Sequence, residues 1–224
     1  FRELIRLADE SEVNALVIDV KDDTGFLTYP SKVPTAIAIG ATKELRARDA
    51  EARVREMLAH GIYPIARIVV AKDPLLAERK PGWAIQSSAG GLWRDRRGTA
   101  WVDAFNDSVW AYAADLAAEA ITMGFAEVQF DYVRFPDEPR ARMATAVYPA
   151  RRAGESTRQG VMRNLTLLRS RMRPYGVPVT LDAFLKRHLG TSPAPGSVPI
   201  AALPCKYCVP GLDPDADFDR TLKL

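Results

Sequence analysis

Four apolar stretches of the sequence each carry ionisable or amide side chains where a buried strand would ordinarily have none. In LVIDVKD (16–22) they are Asp19 and Lys21, and in IARIVV (65–70) the residue is Arg67. In EVQFDYV (127–133) they are Gln129 and Asp131, and in VTLDAF (179–184) Thr180 and Asp182. Strand side chains alternate between faces, so residues two apart point the same way. In every stretch the polar members share one parity, opposite Ile18 and Val20, Ala66 and Ile68, Val128 and Phe130, and Val179 and Leu181. A sheet buried on both faces has no water for such groups, so they are expected to converge on one another. Carboxylates flanked by cations suit cleavage of a glycosidic bond, in which one carboxylate acts as nucleophile or base and another as protonated acid. Asp131 and Asp182 lie on successive strands and can reach one sugar ring. Asp182 and Asp19 are the acid candidates closest to Asp131, with Lys21, Arg67 and Arg134 orienting hydroxyls or tuning the carboxylates. Tyr132 joins them as a substrate-binding candidate. Trp93 and Trp101, with Trp83, lie in a Gly- and Trp-rich segment over 71–104 and offer flat faces to sugar C–H groups.

Two other readings use the same residues. The first is a buried ion network that only fixes the fold, but desolvation offsets the attraction of buried pairs, which makes a cluster spread over several strands costly scaffolding. The second is an oxygen-ligand site for Mg2+ or Ca2+ built from Asp19, Asp22, Asp23, Asp131 and Asp182. Lys21 and Arg67 would then stand beside the ion, so no metal site is expected. DPDADFD (213–219) lacks the Gly and closing Glu of a calcium loop and reads as a solvated acidic tail. No cofactor motif is present.

The elements that must hold these residues follow an alternating order. Helical spacing runs over 2–10, over 41–60 with Leu45, Val54, Met57 and Leu58 on one face, over 106–124 and near 157–173. Strands fall at 14–20, 62–70, 127–133 and 176–184. Asn106 or Asp107 reads as a cap and Gly124 as a stop. Continuous apolar strands alternating with helices imply a parallel sheet with right-handed crossovers. A doubly wound nucleotide-binding sheet would show GxGxxG or a P-loop after a strand, and neither occurs. A (β/α)8 barrel of the TIM type remains, and its catalytic groups sit at the C-terminal strand ends, where these polar residues fall.

The 224 residues have 47% hydrophobic and 26% charged side chains and a net charge of +3, enough to bury a sizeable core. The basic residues are interleaved with acidic ones, so nucleic acid is not an expected partner. No apolar run is long enough to span a bilayer, and no signal peptide is present. The sequence opens on FRELIRLADE without Met, which reads as an excised piece. Cys205 and Cys208 form a CxxC between prolines, with no second pair and no suitably spaced histidine, and read as two incidental thiols.

NALVIDVKDDTGFLTYPS, IYPIARIVVAKDPLLAERKPGWAI, WVDAFNDSVWAYAADLAAEAITMGFAEVQFDYVRFPDE and VPVTLDAF resemble a bacterial family of glycoside-hydrolase-like domains, long known only as a domain of unknown function. The resemblance runs over about residues 1–184. It implies a TIM barrel, a polysaccharide or glycan substrate, and an extracellular or cell-envelope setting. It also makes Asp131, in FDYVRFP, the leading catalytic residue, at the end of what would be the family's fourth strand. The non-enzymatic alternative is a carbohydrate-binding or scaffold barrel. The family's first strand would lie before Phe1, and after Phe184 the Pro-rich residues 185–224 depart from the family pattern. The expectation is therefore a partial barrel over 1–184 with an irregular tail over 185–224. Such a piece should be nearly inactive alone and prone to self-association through open sheet edges.

Overall fold

The computed structural model describes residues 1–182. In chain order it contains α1 (Arg2–Asp9), β1 (Ala15–Lys21), α2 (Pro34–Ile39), α3 (Ala50–Ala59), β2 (Tyr63–Val69), α4 (Pro74–Arg79) and β3 (Gln86–Ser87). These are followed by α5 (Asp107–Thr122), β4 (Glu127–Asp131), α6 (Arg140–Met143), β5 (Ala146–Val147), α7 (Thr157–Met172) and β6 (Val179–Asp182). The tail over 185–224, with Cys205, Cys208 and the acidic run 213–219, lies outside the described residues.

Strands β1, β2, β4 and β6 form one parallel sheet in that order. The helices cover the face carrying Ala66, Ile68, Val128 and Phe130, each fully buried. On the other face Val17 is 51% exposed. One-sided cover on a parallel sheet with sequential strand order is the geometry of a β/α barrel segment, open among the described residues.

Local chemistry sets the helix limits. Asn106 caps α5 by accepting from the Ser108 amide at 2.9 Å, and Gly124, at φ 105°, ends the segment before β4. Ser156 and Gln159 form a reciprocal capping box at the start of α7. Helix α7 buries Gly160, Asn164, Leu168 and Met172, a four-residue repeat that presents one stripe, and it packs on α5. Trp110 on α5 is fully buried and donates its indole N–H to the Ala104 carbonyl at 2.9 Å, the carbonyl that also accepts from the Asn164 amide. No helix among the described residues is long and apolar enough to cross a membrane.

Two elements differ from the sequence expectation. The helix expected over 41–60 starts only at Ala50, with Leu45 in the irregular segment before it and the short α2 placed earlier, over 34–39. The expected loop over 71–104 is largely structured. It holds α4 and a nested hairpin with bridges Ala84↔Val102, Gln86↔Leu92 and Arg94↔Ala100, and its β3 pairs antiparallel with β5.

Candidate active site

The register of the sheet aligns the polar residues directly. Asp19 stands opposite Arg67, Arg67 opposite Gln129, and Asp131 opposite Asp182. Arg67 lies between two carboxylates, donating through one guanidinium nitrogen to Asp19 Oδ1 at 2.5 Å and through the other to Asp131 Oδ2. Partial burial pulls the Arg67 proton affinity down, but the two carboxylates outweigh it and hold the guanidinium above its ordinary pKa. The other Asp131 oxygen, Oδ1, accepts the backbone N–H of Tyr132 at 2.5 Å. The Asp131 carboxylate is thus gripped from both sides at the C-terminal end of β4, and its residue is only 9% exposed.

Lys21 does not join this cluster, contrary to the parity argument. A bulge between Asp19 and Lys21 shifts the register so that Lys21 stands opposite Ile68, on the helix-covered side. Its ammonium is sealed there, 1% exposed, donating to the Val69 carbonyl at 2.5 Å and pairing with Asp73 Oδ2 at 2.8 Å beneath the Tyr112 ring. Burial pushes the Tyr112 phenol well above its ordinary range, with the Asp73 charge adding to it.

Trp93 and Trp101 are also placed differently from expectation. Both are buried among core side chains, and their indole N–H groups are occupied: Trp93 by Thr145 Oγ1 at 3.2 Å and the Arg142 carbonyl at 3.3 Å, Trp101 by Asp95 Oδ2 at 2.9 Å. Neither offers an open face to a sugar. They are the core of the loop layer over the strand ends, because the nested hairpin of 84–102 wraps around them. Burial raises the Asp95 carboxyl, but the Trp101 N–H, the Thr99 and Arg97 amides and the charge of Lys72 outweigh it and leave the pKa lowered.

The rim beside Asp131 is built from the loops after β1, β2 and β4. Lys72 pairs with Asp23 at 2.5 Å and lies 5.3 Å from the Tyr132 ring centre. The Arg134 guanidinium lies 4.9 Å from that ring and 5.6 Å from the ring of Trp101. Asp23–Lys72 and Lys21–Asp73 were not picked out by sequence reasoning as pairs. The one available signal was Asp73 followed by Pro74, a cap-and-first-turn signature. Asp73 Oδ1 indeed caps α4, accepting the Leu76 amide at 2.8 Å. Among the described residues no group of three or more His, Cys, Asp or Glu side chains is placed to hold a metal ion.

The arrangement is a carboxylate fixed at a strand end by a guanidinium and a backbone amide, with a second carboxylate sharing the same guanidinium. A set of this kind can present a negatively charged oxygen to an electrophilic carbon or to a water proton.

Comparison with known proteins identifies the family and the fold. Residues 1–191 match the family described as "putative glycosyl hydrolase domain". The crystal structure of a hypothetical protein from Ruminiclostridium thermocellum ATCC 27405 is similar at 32% identity and a TM-score of 0.72, over 81% of this chain and 89% of that one. TtGalA, an α-galactosidase from Thermus thermophilus, superposes at 16% identity and a TM-score of 0.51, over 80% of this chain and 33% of its own. A β-N-acetylhexosaminidase from Bacteroides fragilis NCTC 9343 gives 12% identity and a TM-score of 0.55, over 80% and 36%. The chain thus spans about a third of the length of these two enzymes, and at such identities the likeness shows the fold, that of the β/α barrel. No curated protein matches the sequence. With the family model spanning most of its length, a four-stranded parallel sheet of the barrel type and the R. thermocellum protein as a relative, the chain belongs to the glycosyl hydrolase-like domain family.

Proposed function

We propose that this chain, a partial barrel over residues 1–184, carries the catalytic face of a glycoside hydrolase acting on a polysaccharide or glycan. The observation that supports it most is the fixed Asp131 carboxylate at the C-terminal end of β4, held by Arg67 and the Tyr132 amide on the open face of the sheet. Asp131 is the nucleophile or the base. As nucleophile it attacks the anomeric carbon while an acid protonates the leaving oxygen; as base it takes the proton from an attacking water. Asp182, paired in register with Asp131, is the acid candidate on the neighbouring strand. Asp19 is the other, although its carboxylate is engaged by Arg67. Arg67, occupied by two carboxylates, serves to hold Asp131 rather than to bind substrate hydroxyls. Arg134 stands at the rim, where a sugar would enter.

The test is an assay of the full-length protein on a glycan panel beside its Asp131→Asn variant. Hydrolysis that falls by orders of magnitude in the variant, with substrate affinity kept, supports the reading. Glycan binding without any turnover in the wild type points instead to a carbohydrate-binding barrel.

A further inference from the structure

Arg67 serves two carboxylates with a single positive charge. Asp19 takes one guanidinium nitrogen at 2.5 Å and Asp131 takes the other, so the three residues together carry a net negative charge. The Asp19 side chain is 45% exposed and that of Asp131 13%, so the row of charges runs from solvent inward. Asp19 is fixed at the outer end. It stands opposite Arg67 in the last regular pair before the β1 bulge, and its carbonyl accepts from Thr28 Oγ1 at 2.8 Å. An ion pair of this kind is made by an ionised Asp19, and an ionised carboxylate has no proton to give a leaving group. Its influence on Asp131 is electrostatic instead. Paired alone with Arg67, Asp131 would form a neutral couple, a poor partner for the positive charge that builds on a sugar ring as the glycosidic bond breaks. With Asp19 on the second nitrogen the guanidinium charge is cancelled, while its hydrogen bond still holds the Asp131 carboxylate.

We propose that Asp19 is a positioning residue acting through Arg67: it neutralises the guanidinium that orients Asp131, so that Asp131 is held in place and keeps its basicity. This rests on the glycoside hydrolase reading for its kinetic consequence, but not for the charge sharing itself. It takes Asp19 out of the acid candidates. The other ionisable groups around Asp131 are untouched by substitution at Asp19. They are Asp182 in register on β6, Glu127 lower on β4, Arg134 and the Lys72–Asp23 pair at the rim, and the Lys21–Asp73 pair behind the sheet. A change in the titration of Asp131 on substituting Asp19 therefore reports the coupling through Arg67.

The experiment compares full-length wild type with Asp19→Asn, Asp19→Glu and Asp131→Asn. Aspartate carboxyl carbons are followed by NMR across pH, the Asp131 signal being the one absent from Asp131→Asn. The rate constant kcat/KM is measured over the same range on the hydrolysed glycan. In Asp19→Asn a like charge has gone and Arg67 is left wholly to Asp131. The Asp131 titration and the acid limb of kcat/KM should both move to lower pH, by about half a unit or more. The kcat should fall about tenfold with KM within about twofold. Asp19→Glu, which restores the charge, should bring the titration back toward wild type. An Asp131 titration unmoved or raised in Asp19→Asn overturns the proposal, as does Asp19→Glu titrating like Asp19→Asn. Loss of the basic limb in Asp19→Asn, with rates kept on aryl glycosides of good leaving groups, also overturns it and makes Asp19 the acid. If the titration moves as expected while the wild type hydrolyses nothing, the glycoside hydrolase reading fails and the charge sharing stands.

Discussion

Lys21 and Asp73 meet at 2.8 Å in a place where neither side chain is more than 2% exposed. The contact is an ion pair off the hydrogen-bond axis of Asp73 Oδ2, while Asp73 Oδ1 caps α4 and Gly25 packs directly on that oxygen. Lys21→Met leaves the Asp73 carboxylate buried without its counter-charge. Losses of this kind cost about 3–5 kcal/mol. Urea unfolding should show that loss for Lys21→Met and a smaller one for Lys21→Met with Asp73→Asn, since the second change removes the stranded charge. Equal losses in both would mean that the ion pair is not what the site depends on.

Arg67→Lys should damage activity without unfolding the protein. A lysine carries one point charge and cannot span Asp19 and Asp131 as the two guanidinium nitrogens do. A carboxylate displaced by about 1 Å can cost about 100-fold in rate. The expected result is a fall in kcat approaching that size, a small change in KM and an unchanged circular dichroism spectrum. Full activity in Arg67→Lys would remove Arg67 from the positioning of Asp131.

Gly160 sits on α7 where a β-carbon would lie 2.2 Å from the Phe105 ring. Alanine there gains about 1 kcal/mol in helix propensity. Overpacking against a buried ring costs about 1–3 kcal/mol, and this overlap belongs at the high end. Gly160→Ala should therefore lower the melting temperature, and a melting temperature at or above wild type would show that Phe105 can move aside.

Acid should loosen the layer around Trp101 through Asp95. Its folded-state pKa is lowered from 3.8, so below that value the unfolded chain holds the proton more readily than the folded one. The stability it contributes is complete above about pH 4 and is lost as the pH falls through the lowered value. Tryptophan fluorescence along an acid titration should show a wild-type loss in that range that Asp95→Asn flattens. Parallel titration curves would mean that other carboxylates carry the acid response.

Much of this geometry can be read from residue order, because alternation is a property of every strand. Asp19, Arg67 and Asp131 face one another as their parity implies. The cap at Asn106 and the stop at Gly124 were equally legible. The bulge that removes Lys21 from the group has no glycine to mark it, and Tyr132 adopts a conformation that its own side chain disfavours. Both are imposed by tertiary contacts. The indoles of Trp93 and Trp101 misled for another reason: a loop sequence does not reveal whether the loop folds over its own aromatics, and this one does.

The bulge in β1 amounts to a change of reading frame within a single strand. Before it, odd-numbered residues address the open face; after it, the next odd-numbered residue addresses the sealed one. Asp19 and Lys21, two residues apart, thereby enter separate electrical compartments, one wet and one dry: Asp19 shares Arg67 with Asp131, and Lys21 pairs with Asp73. Were Val20 paired in a regular ladder instead, Lys21 would stand opposite Val69 on the open face, its ammonium among the carboxylates that Arg67 already holds and Asp73 stranded behind the sheet. The bulge at Val20 is what keeps the two charge systems from exchanging partners.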